Sequence, residues 1–283
     1  MSPGTVTVSA LARYPLKSGR AEPLTEAAVE PWGLAGDRRW MLVDEHGEML
    51  TGRRVPELVL VEARLEDRAL VLRVPGHPPL RVQEPIAAAR VEVDIFGSRF
   101  PATPAVGGED WLAAVLGRPA RLLHLTDPRV RPADPDYAGP GDVVSLADGF
   151  PLMLTAEESL AALDGWVAAG PRPEQGPLGM GRFRPNLVVS GADGWAEDRW
   201  RRLRIGQVRF RVVKACERCS FTRVDPDTAA RTAEPLLSLA RHRRYDGKTW
   251  FGINLVPDQP GGVLRVGDAV EVLDAVEDPS PQR

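Results

Sequence analysis

The stretch "RRWMLVDEHGEMLTGR", residues 38–53, decides how the first half of the chain is read. Two apolar runs of strand length flank His46-Gly47, and a Gly-centred break between such runs is a hairpin signal. The same pattern recurs outward. "TVTVSALARY" (5–14) alternates; "LVLVEARLEDRALVLRV" (58–74) turns at Glu66-Asp67; "ARVEVDIFGSRF" (89–100) turns at Gly97-Ser98. Short strands at this spacing predict a sandwich or barrel.

"EDWLAAVLG" (109–117) then reads as a short helix stopped by Gly117. Residues 127–148 are rich in Pro, Asp and Gly and form a long connector, a class of loop that is usually functional or a linker. "TAEESLAALDGWVAAG" (155–170) is a helix with Thr155 as expected N-cap and Glu158 at the capping-box spacing. "NLVVSG" (186–191) is a strand, and "LRIGQVRFRVVKAC" (203–216) is a hairpin about Gly206. "EPLLSLARHRR" (234–244) is helical; "TWFGINLV" (249–256) and "GVLRVGDAVEVL" (262–273) close the chain in strands. The expected fold is mainly β with a few helices: an N-terminal β-barrel-like domain (1–122), a second β-barrel domain (123–276) and a disordered tail (277–283).

Composition narrows the function. The 283 residues are 43% hydrophobic, enough for a sizeable core, and carry a net charge of -3. That balance gives no general pull toward nucleic acid. The N-terminus lacks the basic-then-apolar layout of a signal peptide. No apolar run approaches the roughly 18–20 residues that span a bilayer. The expectation is a cytoplasmic protein with no membrane or nucleic-acid partner. Two cysteines cannot form a disulfide framework for a chain of this size.

Both cysteines lie in "KACERCSF" (214–221). Zinc wants four N/S ligands, and His46, His77, His124 and His242 supply no spaced pair. A thioredoxin-type pair wants a following helix, whereas "SFTRVDPDT" offers turn and β-branched residues. Two structural cysteines remain open, as does one thiolate ligand to a soft-binding metal beside Arg218. Lys17-Ser18 and Arg38-Arg39 stand at loop edges, with the ammonium, hydroxyl and guanidinium groups that hold phosphate. On local features alone, a solvated loop with an Asp37–Arg pair is the favoured reading of the same residues. Arg184 and Asn186 flank Pro185 at a strand mouth, as ligand contacts or as a loop cap. Gly179 and Gly181 are a weak dinucleotide signal.

The order of these motifs resembles the MOSC family, the domain shared by molybdenum cofactor sulfurases and the mitochondrial amidoxime-reducing component. The resemblance runs over residues 5–275 and includes "YPLKS", "GLAGDRRWMLVD", "ADGFPLMLTAEESLAALD", "FRPNLVVSG", "KACERCSFTRVDPDT", "FGINL" and "VGDAVEVL". It implies the subgroup with an N-terminal MOSC β-barrel domain ahead of the MOSC domain. It implies molybdenum cofactor (Mo-molybdopterin) between the two domains, with Cys219 as metal ligand and catalytic centre and Cys216 not a ligand. It also implies cofactor contacts from Lys17, Ser18, Arg38, Asp148, Gly149, Arg184, Asn186 and Arg218.

The activity implied is reduction of N-oxygenated compounds such as amidoximes or hydroxylamines. The metal would cycle between Mo(IV) and Mo(VI), with electrons from a separate flavoprotein or ferredoxin-like donor. The rival is a non-catalytic carrier of the cofactor or of persulfide sulfur. Sulfurases join the MOSC domain to a pyridoxal-phosphate domain, which this reading does not expect here; nor does it expect an N-terminal anchor or a C-terminal ferredoxin domain. Two positions depart from the family pattern: Ala229 stands for a usual Gly, and Arg223 for a usual Thr, with a place at the substrate mouth expected for Arg223.

Overall fold

The computed structural model describes residues 5–86 and 89–277. The tail expected at 277–283 therefore lies outside the described residues, Glu277 excepted. The architecture is mainly β, as the strand spacing predicts. Three α-helices occur among the described residues: Glu109–Leu116, Glu157–Ala168 and Leu236–His242.

The hairpins form where the alternation places them. Trp40–Val43 pairs antiparallel with Met49–Leu50, Glu62–Glu66 with Ala69–Arg73, Val91–Ile95 with Ser98–Pro104, and Trp200–Ile205 with Val208–Glu217. Two turns sit one residue from the expected place. Asp67 and Arg68 both have positive φ (47° and 59°), as do Phe96 and Gly97 (53° and 88°). A two-residue turn with both φ positive matches the right-handed twist of its strands, so pairing rather than local composition sets the centre. Residues 58–60, read as the start of a strand, belong instead to a 3-10 turn (Pro56–Leu60) with Pro at its first position.

The largest sheet has nine strands. Its order is Glu22–Leu24, Thr7–Arg13, Leu187–Ser190, Leu152–Ala156, Lys248–Pro257, Val208–Glu217, Trp200–Ile205 and Val270–Ala275, with Arg244–Tyr245 paired to Lys248–Pro257. Strands from the first 24 residues thus share a sheet with strands beyond residue 150. The expected barrel is not a closed one. The two end strands of the path, Glu22–Leu24 and Val270–Ala275, are not paired; residues 6–8 instead meet residues 267–270 through the Thr7–Ala269 bridge and the bonds Val8 N–H to Asp268 carbonyl (2.9 Å), Gly267 N–H to Val8 carbonyl (2.8 Å) and Val270 N–H to Val6 carbonyl (2.8 Å). Leu11, Leu154, Leu187, Leu203, Phe210 and Ile253 pack its core. A five-stranded and two three-stranded sheets complete the described strands, and Leu16, Trp40, Leu58, Leu70 and Leu122 share a second core.

Leu152–Ala156 and Leu187–Ser190 run parallel, which demands a crossover, and the helix Glu157–Ala168 supplies it. This overturns the expected cap. Thr155 is committed to the parallel ladder opposite Val188, and its hydroxyl turns to the Met180 sulfur at 3.2 Å. Ala156 occupies the N-cap without a side-chain bond, and Glu157 and Glu158 lie in the first turn. There their charge favours the positive end of the helix dipole. Glu158 meanwhile accepts from the Gly191 N–H (2.7 Å).

Candidate functional site

Past Arg13 the chain leaves the large sheet, and Leu16 forms a bridge with Trp40. The Lys17 N–H donates to the Trp40 carbonyl (2.7 Å), and Gly19 N–H closes a turn on Leu16 (2.9 Å). Ser18 at the turn has φ 67°. The bridge brings Lys17 and Ser18 beside Arg38. The consecutive arginines diverge from there. Arg38 donates to the buried Asp37, to Asn186 Oδ1 (3.2 Å) and to the Arg184 carbonyl (3.2 Å). Arg39 turns to the Leu125 carbonyl (2.9 Å). Only the first faces the cleft.

Arg184 (φ 57°) reaches back to the Gly19 carbonyl at 2.7 Å. Its guanidinium lies 4.2 Å from the centre of the Tyr14 ring, and that of Arg38 lies 4.4 Å from it. Burial lowers the Arg184 pKa to about 10, which leaves it charged at neutral pH. Its Nη2 is buried without a hydrogen-bond partner, and so is Arg218 Nε.

Asp148 and Gly149 come from the end of the Pro/Asp/Gly-rich connector. Arg131, 2% exposed, holds that loop from behind through the carbonyls of Ser145, Ala147 and Asp148. Lys17 pairs with Asp148 and donates to the Leu146 carbonyl (2.8 Å). Burial lowers the Lys17 pKa to about 8, with Asp148 working in the other direction. Asp148 keeps 56% of its side chain exposed; desolvation works against its charge, but Lys17 and Arg53 outweigh it and hold that carboxyl well below its ordinary range.

The cysteines differ in place. Cys216 is at the end of the strand Val208–Glu217, and its sulfur accepts from Arg218 Nη1 at 2.8 Å. Beyond Glu217 the chain leaves the ladder, and Cys219 caps the 3-10 turn Ser220–Arg223. Thr222 Oγ1 donates to the Cys219 carbonyl (2.9 Å). The Cys219 side chain is exposed, and Arg53 Nη1 donates to its sulfur at 3.2 Å.

All nine expected site residues line one cleft: Lys17, Ser18, Arg38, Asp148, Gly149, Arg184, Asn186, Arg218 and Cys219. It offers about 850 Å³ of space, part of it open to solvent. Sequence reasoning missed Arg53, Arg182 and Phe221, which line it too. No local signal separates Arg53 from Arg54, whose guanidinium instead pairs with Glu48 (3.0 Å). Arg223, expected at the substrate mouth, is not part of the lining; its Nε donates to the Thr232 carbonyl at 2.6 Å. Ala229 does adopt the left-handed conformation that suits Gly (φ 59°).

Six cationic side chains (Lys17, Arg38, Arg53, Arg182, Arg184 and Arg218) face two carboxylates, Asp148 and Glu217, in the lining. The cleft is therefore built for an anion, and two orphaned guanidinium donors await acceptors. Among the described residues no group of three or more His, Cys, Asp or Glu could hold a metal ion. A metal at Cys219 would draw its remaining ligands from a cofactor. Molybdenum cofactor, with soft sulfur ligands and an anionic phosphate, fits that donor set.

Comparisons with known proteins agree on one family. The family described as "MOSC N-terminal beta barrel domain" matches residues 5–119, and "MOSC domain" matches residues 141–271. Mitochondrial amidoxime-reducing component 1 of Homo sapiens is 33% identical over 290 residues, covering 94% of this chain and 83% of that protein. Its Xenopus laevis counterpart is 33% identical over 287 residues, covering 93% and 81%. Molybdenum cofactor sulfurase of Oryza sativa subsp. japonica is 32% identical over 260 residues, covering 86% of this chain and 31% of that protein. No helix among the described residues is long and apolar enough to cross a membrane.

Proposed function

This chain belongs to the MOSC family, and we propose on that premise that it is a molybdenum-cofactor-dependent reductase of N-oxygenated compounds. The observation that carries the reading is the gathering of six cationic side chains and one exposed thiol, Cys219, in the lining of a single cleft. Lys17, Ser18, Arg38 and Arg184 would hold the cofactor's phosphate and pterin, with Asn186, Arg218, Asp148 and Gly149 along its flank. Cys219 would give the one protein thiolate. When bound, the cofactor supplies the two-electron chemistry that removes oxygen from a nitrogen centre.

The chain's own work is binding and orientation. Tyr14 and Asp37 hold Arg38 and Arg184 in place; Arg131 braces the loop that carries Asp148; Arg53 fixes the Cys219 sulfur. Reduction of N–OH to N–H consumes two electrons and two protons and releases water, so a separate electron-donor protein, a flavoprotein or a ferredoxin-like protein, completes the cycle. A cytoplasmic location belongs to the same reading.

The test uses holo-protein with molybdenum content measured, reduced methyl viologen and benzamidoxime or a hydroxylamine. Substrate-dependent dye oxidation over multiple turnovers is expected. With molybdenum present and no turnover across a broad panel, the reductase fails. The carrier reading, to which the sulfurase relative lends weight, then takes its place.

A further inference from the structure

A second cleft adjoins the site. It offers about 1380 Å³ of free space, open to solvent, with Met49, Val93, Phe96 and Arg99 in its walls. Thr51 and Arg53 line both clefts, so the two adjoin at these residues.

Phe96 stands out on the far side. It is 62% exposed, at the tip of the Val91–Ile95 and Ser98–Pro104 hairpin, with φ 53°. A bulky residue in the left-handed region is a strained outlier. Gly would relax the tip, and the ring buries little area in return. Its position is nonetheless fixed. Asp94 Oδ1 accepts from the Gly97 N–H at 2.7 Å, and the Arg53 guanidinium lies 4.7 Å from the ring centre. That same guanidinium touches the Cys219 sulfur. One cation therefore links an exposed aromatic face to the centre of the site.

We infer that the second cleft is a binding subsite for a planar aromatic body of the substrate, with the Phe96 ring as its stacking platform and Arg53 at the edge where this cleft meets the one that holds Cys219. The inference rests on the reductase reading. The chemistry of recognition is aromatic stacking on Phe96, extended by the guanidinium of Arg53. Phe96 is on this account a specificity-determining residue.

The experiment compares wild type, Phe96→Ala and Phe96→Gly as holo-proteins. The Gly variant relaxes the turn while removing the ring, so a folding defect cannot imitate the result in both. The reading is the ratio of kcat/KM for benzamidoxime to that for acetamidoxime, with reduced methyl viologen. Loss of one stacking contact should lower the ratio about three- to tenfold in both variants. A second reading needs no turnover: saturation transfer from protein to the aromatic protons of benzamidoxime should weaken in both variants. If wild type reduces neither compound, the reductase reading fails and the transfer experiment alone judges the subsite. An unchanged ratio, or without turnover an unchanged transfer, overturns the subsite.

Discussion

The Arg53 guanidinium reaches the Cys219 sulfur at 3.2 Å across 166 positions of sequence, while the nearer cysteine, Cys216, is occupied by Arg218 at 2.8 Å. The two thiols of one short motif therefore have separate environments. One is exposed at the head of a turn in the cationic cleft, and the other is half-buried at the end of a strand. A redox pair would need both; a single metal ligand needs only the first.

Cys219→Ala should lose or misligate molybdenum, and Cys216→Ala should retain about one molybdenum per chain. Elemental analysis of protein made in a cofactor-competent cell checks this. Equal metal and unchanged spectra in the Cys219 variant would refute the assignment.

Arg38→Ala removes a charged contact from the proposed phosphate clamp. Such bonds are worth about 1.5–3 kcal/mol, so cofactor affinity should fall roughly ten- to a hundredfold. Arg38→Lys should fall between, since an ammonium keeps the charge without the fork. Arg39→Ala is the control, because its guanidinium faces Leu125 and not the cleft. The fraction of cofactor retained after dialysis distinguishes the three. Loss in the Arg39 variant as deep as in the Arg38 variant would make the effect general rather than local.

Gly52→Ala tests how Cys219 is seated. A Cβ on Gly52 would stand 2.1 Å from the Phe221 ring, two residues beyond Cys219, and the Arg184 guanidinium crowds that ring from 5.3 Å. The ring must move, and with Arg184 against it the expected outcome is that the 3-10 turn shifts as well. Overpacking of this kind costs about 1–3 kcal/mol, so a lower thermal midpoint and reduced molybdenum occupancy are expected together. A variant unchanged in both would mean that the turn yields freely.

The strands were legible because their alternation is local: each hairpin needs only a few residues to announce itself. Lys17, Arg38, Arg184 and Cys219 were legible as a set only through the order of motifs along the chain. Singly, each read as well or better as a loop ion pair, a cap or a structural thiol. Arg53 and Arg131 were not legible. Arg53 acts on partners 95 and 166 positions away, and nothing in "TGRR" tells it from the solvent-facing Arg54. The Thr155 cap failed for the same kind of reason: a parallel partner 33 residues on, Val188, claims its backbone. Local patterns carry propensity, and long-range pairing overrides it.

Glu197 gives a prediction away from the site. It is fully buried, accepts from Ser159 Oγ at 2.8 Å, and leaves Oε1 without a partner. Burial, then the neighbouring Asp198, push its pKa up from 4.5 to about 7. Between these values the folded protein keeps a proton that the unfolded chain releases. The native state binds more protons there, so stability falls as pH rises from about 4.5 to 7 and levels off above. Glu197→Gln carries its own hydrogens and should lack that slope. Relative to wild type it should gain on the order of 1–3 kcal/mol between pH 5 and pH 8. Thermal midpoints of both proteins across that range decide it, and their difference cancels groups that titrate alike in each. Curves that stay parallel would mean that Glu197 is already ionised in the fold.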